Sequence, residues 1–80
     1  MADSLIHNNI RKLRFFHDEM TQKELANRVG VTRQTILAIE NEKYPPSLEL
    51  AFRIATVFDS PLEEVFTYDA EADPVLNKKT

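Results

Sequence analysis

The side chains best equipped for chemistry in this chain of 80 residues are amides, guanidinium groups and hydroxyls, gathered between Gln22 and Ser47. Consider the stretch Thr32-Arg33-Gln34-Thr35-Ile36-Leu37-Ala38-Ile39. A helix that turns Ile36 and Ile39 inward leaves Arg33, Gln34, Thr35, Leu37 and Ala38 near the opposite surface. Gln34 carries a donor and an acceptor side by side, the pattern that matches the adenine edge in a double-helical major groove. Arg33 can pair with guanine or with a phosphate, and both remain open. Thr35 offers a hydroxyl and a methyl, suited to a thymine methyl or a phosphate. Ala38, one turn along, can touch a thymine methyl. Further on, Lys43, Tyr44 and Ser47, with the free amides at the start of a following helix, can clamp phosphates. This is the chemistry of recognition rather than of bond making.

Other chemistries lack their parts. Cysteine is absent, which removes disulfides and thiolate metal sites. His7 and His17 have neither ligand spacing nor a carboxylate partner set, so no metal is expected. Serine, histidine and aspartate form no triad pattern, and with Gly30 as the single glycine no phosphate-cradling loop exists. Enzymatic activity and cofactors are therefore not expected.

Eighty residues support one small domain with a modest core. No apolar run approaches the roughly 20 residues that cross a bilayer. MADSLIHNN is not a secretion signal either, so a soluble, cytoplasmic chain is expected. The net charge of -3 is unevenly distributed. Residues 1–60 balance, whereas Glu63, Glu64, Asp69, Glu71 and Asp73 outweigh Lys78 and Lys79 in the last twenty. An acidic end on a neutral body is compatible with a nucleic-acid partner, but predicts weak binding by a single copy.

The elements that must position these side chains can be read in order. Ile6, Ile10, Leu13 and Phe16 recur at helical spacing, with Ser4 or Asn8 as the cap. Thr21 and Glu24 form a capping box, flanked by Met20 and Leu25 in staple positions. The second helix buries Leu25, Ala26 and Val29 and stops at Gly30, where a left-handed residue is needed. Thr32 caps the third, which ends near Asn41 before Pro45-Pro46. Ser47 opens a fourth, with Ala51, Ile54, Ala55 and Phe58 inward. Ser60-Pro61 with Glu63 opens a short fifth, carrying Leu62, Val65 and Phe66. Strand-type alternation is absent. The expected fold is all-α with five helices over residues 1–66. Residues 67–80 form an acidic tail, a possible dimer contact ending in a disordered Asn77-Lys78-Lys79-Thr80.

Gln22 opens a 20-residue helix-turn-helix frame. The apolar positions of that frame hold Leu25, Val29, Val31, Ile36 and Ile39, its small position Ala26 and its glycine position Gly30. With all seven positions filled in one register, the chain resembles the Cro/CI-type (XRE) family of helix-turn-helix transcriptional regulators. The likeness runs from Ile6 to Phe66. It implies a lambda-repressor-like bundle of five helices whose third helix enters the DNA major groove. It further implies that Gln22 touches the phosphate backbone, and Thr32 joins Lys43, Tyr44 and Ser47 as the other candidate phosphate contacts. Arg14 and Glu40 match an internal ion pair of the family. Ala38 stands where some phage repressors have a longer polar reader, so fewer base contacts are expected.

Two departures stand out. Glu42 replaces a glycine common after the third helix, which shifts the left-handed turn to Asn41, and the Phe15–Met20 connection is one residue longer. The function implied is a sequence-specific double-stranded DNA-binding regulator, in the main a repressor, working as a homodimer on a short inverted repeat. The dimer contact is expected in the tail, or else at Phe15-Phe16. An antitoxin whose acidic tail sequesters a toxin is the alternative from another class.

Overall fold

The computed structural model describes residues 5–77. Five helices are present: α1 (Ile10–Phe16), α2 (Gln22–Val29), α3 (Arg33–Glu40), α4 (Leu48–Val57) and α5 (Leu62–Val65). Two three-residue strands, β1 (Ile6–Asn8) and β2 (Phe66–Tyr68), pair antiparallel, with His7 opposite Thr67. A short 3-10 turn follows at Ala70–Ala72. The core lies where α2 packs on α3 and α4. Leu25, Ile36 and Ile54 are fully buried there, as are Ile10 and Val65, which the β1–β2 pairing brings side by side.

Local chemistry sets the helix boundaries. The Thr21 hydroxyl accepts from the Glu24 amide at 3.0 Å, while the Glu24 carboxylate accepts from the Thr21 amide at 2.9 Å, completing the capping box. Thr32 and Ser47 accept from the amides of Thr35 and Leu50 in the same way. Gly30 ends α2 at φ 78°, and the Val31 amide then bonds back to the Ala26 carbonyl. Ala26, 1% exposed, is the small residue against which α3 can approach.

Several expectations need correction. Ile6 does not belong to α1. The segment before Ile10 finds its backbone partners after α5 instead: the Asn9 amide donates to Val65, and Asp69 donates to Leu5, both at 2.8 Å. The five-helix, all-α reading stands with this short two-stranded addition, and residue 66 opens β2. The cap of α1 is Asn9, although its side chain caps nothing; the Asn8 side-chain oxygen accepts the Ile10 amide. Ser4 lies outside the described residues. Phe16 is 66% exposed, because the inward stripe runs Ile10, Leu13, Arg14 and then His17, whose ring meets Phe58 edge-on at 5.1 Å.

The left-handed residue after α3 is Glu42 at φ 58°, not Asn41 at φ -85°. The Lys43 amide reaches back to Ala38 and the Glu42 amide to Ile39, which places Glu42 where a Schellman turn needs the left-handed residue. Pro61 is itself the cap of α5 rather than its first residue, and Ser60 turns its hydroxyl to the Phe58 carbonyl. Phe66 leaves the helix for β2. Asn77 is not loose: its side-chain amide donates to the carbonyls of Ala70, Glu71 and Asp73 at 2.7–3.0 Å. Lys78, Lys79 and Thr80 lie outside the described residues.

Candidate nucleic-acid interface

α3 is held from its inner side and from both ends, which leaves its outer side free. Ile36 and Ile39 lock it into the core. At its start, the Thr32 hydroxyl takes the Thr35 amide and lies 3.0 Å from the Thr35 hydroxyl. At its end, the Asn8 side chain donates to the Ile39 carbonyl at 2.9 Å, tying the helix to β1. Among the described residues no partner holds the side chains of Arg33 or Gln34, and both are exposed in the first turn of α3. Thr35 and Ala38 are half-buried on the same helix. The Thr35 hydroxyl is engaged by the cap, so its methyl is the part left for a ligand.

A second group of residues converges beside this helix. The Arg14 guanidinium grips Glu40 in a bidentate pair, Nε to Oε2 at 2.7 Å and Nη2 to Oε1 at 3.2 Å. The two side chains are only 15% and 7% exposed. Arg14 also donates to the Met20 carbonyl at 2.7 Å, and Gln22 donates to Glu40 at 3.2 Å. One ion pair therefore joins α1, the entry to α2 and the end of α3, in surroundings where screening by water is reduced. Arg14, Gln22 and Glu40 border a polar depression of about 420 Å³, together with Asn8, Arg11, Leu37 and Asn41. Gln22 is thus half-buried, its amide held by Glu40, next to open space large enough for an anionic group.

Lys43, Tyr44 and Ser47 do not line this depression. They follow the turn after α3, with Lys43 and Tyr44 exposed and the Ser47 hydroxyl committed to capping α4. Glu42 does not point an unpaired acid outward: its two oxygens each lie 3.1 Å from His7 Nδ1. Asn8 and His7 are positioning residues that sequence reasoning missed, since contacts spanning more than thirty positions leave no local signal. No group of His, Cys, Asp or Glu among the described residues could hold a metal ion. Nor is any of their helices long and apolar enough to cross a membrane.

Known proteins carry the same arrangement in sequence. A family model described as Helix-turn-helix matches residues 10–65. The chain is 56% identical over 52 residues to an uncharacterized HTH-type transcriptional regulator of Archaeoglobus fulgidus, covering 65% of this chain and 73% of that protein. A regulator of the same description from Methanocaldococcus jannaschii is 48% identical over 62 residues, covering 78% and 92%. The cryptic phage CTXphi transcriptional repressor RstR of Vibrio cholerae is 33% identical over 69 residues, covering 86% and 60%.

Proposed function

The chain belongs to the Cro/CI-type (XRE) helix-turn-helix family of DNA-binding transcriptional regulators, and we propose that it is a cytoplasmic repressor that binds a short inverted repeat as a homodimer. The observation that carries this reading is a helix fixed by its inner face and both ends, with Gln34 and Arg33 exposed and unpartnered in its first turn. A reader must be rigid to discriminate between bases, and its polar tips must be free until DNA satisfies them. Gln34 takes an adenine edge, Arg33 a guanine or a phosphate, and Thr35 and Ala38 present methyl groups to thymine. Gln22, Thr32, Lys43, Tyr44 and Ser47 fix the register on the backbone, with the amides opening α2 and α4 as additional donors.

One copy makes few phosphate contacts, whereas two copies about one helical turn apart add their binding energies. Occlusion of a promoter is the mechanism of repression this reading implies, and the kinship with a phage repressor supports it. No catalytic step is involved.

Selection of duplexes from a random pool at near-physiological salt, with wild type beside Gln34→Ala, tests the reading. Wild type should enrich an inverted repeat, and the variant should lose about 1–3 kcal/mol together with its adenine preference at one position per half-site. Enrichment of nothing by wild type would remove the proposal. An unchanged preference in the variant would remove Gln34 from it.

A further inference from the structure

Two exposed features have complementary chemistry. On α1, Phe15 and Phe16 are 63% and 66% exposed and meet each other edge to face at 5.6 Å. Arg11 and Lys12, one turn earlier, are exposed and make no ion pair among the described residues. These four side chains border an open depression of about 470 Å³. In the tail, Glu71 and Asp73 precede Val75 and Leu76, which are 75% and 62% exposed. One surface is cationic and aromatic; the other is anionic and aliphatic.

We propose that the Glu71–Leu76 tail of one copy seats on the Arg11–Phe16 surface of a second, and reciprocally, so that this contact builds the dimer. The inference rests on the homodimer reading above. Both halves of the contact are on the same chain, yet the chain's own tail leaves its phenylalanines uncovered. A reciprocal exchange satisfies both surfaces at once and closes with two-fold symmetry. The tail is also pre-ordered for the task. Tyr68 donates to Asp73, the Asp69 carboxylate accepts the Ala72 amide at 3.2 Å, and Asn77 ties three carbonyls together. A segment already shaped as a hook loses little freedom on docking. Burial of the two aromatic rings supplies affinity, and the opposed charges supply orientation and salt sensitivity.

Sedimentation of the full chain over a concentration series tests this. Reversing the cationic surface with Arg11→Glu and Lys12→Glu should weaken self-association about tenfold or more. Reversing the tail with Glu71→Lys and Ala72→Lys should do the same, and these positions spare the Tyr68–Asp73 bond. The four changes combined should restore most of the affinity, since attraction returns with the signs exchanged. Phe16→Ala should weaken the dimer without any charge change. A wild-type dimer that none of these variants weakens, or a fourfold variant no tighter than the twofold ones, would overturn the inference and leave the homodimer intact. A wild type that stays monomeric at every concentration would instead remove the homodimer reading, and this contact with it.

Discussion

Glu42 and Asp59 each occupy a left-handed backbone conformation that an L side chain tolerates at a cost, at φ 58° and 51°. Gly30 fills the same role after α2 at φ 78° without that cost. Its position was legible because glycine between two helical patterns announces a positive φ. Nothing in a glutamate side chain marks Glu42 for such a conformation, so sequence alone places the turn after α3 one residue too early. Asp59→Gly should therefore stabilise the fold by about 1 kcal/mol, read from urea denaturation. Glu42→Gly should gain less, because it also removes the contact with His7. Gly30→Ala should cost about 1–2 kcal/mol from backbone strain alone, since nothing lies within 4 Å of the added methyl. A larger loss would mean that the turn is crowded in a way the geometry does not contain.

At the scale of elements, what was legible depended on how local the cause is. The capping box of α2, the Thr32 and Ser47 caps and the core faces of α2 to α4 are set by residues within one or two turns. β1 and β2 were illegible for the converse reason: three residues are too few to alternate, and their partners lie some sixty positions apart. Ile6 is ambiguous in sequence because a spacing of four from Ile10 suits a helix as well as the strand it enters. The Arg14–Glu40 pair was available through the family resemblance, but its junction with Gln22 and the Met20 carbonyl was not. Removing one partner leaves the other charge poorly solvated. Glu40→Ala should thus cost about 3 kcal/mol in chemical denaturation. The same change should loosen α3, giving faster amide exchange at Leu37 to Glu40 than at the Ile54 turn of α4. Uniform exchange across both helices would show that the pair stabilises the fold without specifically holding α3.

For the molecule as a whole, the question is what holds the acidic tail in shape beside a body whose charges balance. Tyr68 and Asp73 supply one link that titrates. Donation from the Tyr68 hydroxyl holds the Asp73 carboxyl below its usual 3.8, and the same bond raises the Tyr68 hydroxyl above its usual 10.0. A carboxyl lowered by folding contributes stability that is present above its unfolded value and lost as pH falls through the folded one. A phenol raised by folding contributes stability present below its unfolded value and lost as pH rises through the folded one. The bond therefore acts across the neutral window and fails at both ends. Glu24, lowered first by its backbone bond to Thr21, adds a second acid-side loss at the entry to α2. Tyr68→Phe removes the tail link and leaves the capping box untouched. Urea denaturation from strongly acid to strongly alkaline pH should then show wild type and variant converging at both extremes, with their largest separation near neutrality. In the variant the acid-side decline should persist in reduced form, carried in part by Glu24. A constant offset between the two proteins at every pH would mean that Tyr68 stabilises the tail by packing rather than through its hydroxyl.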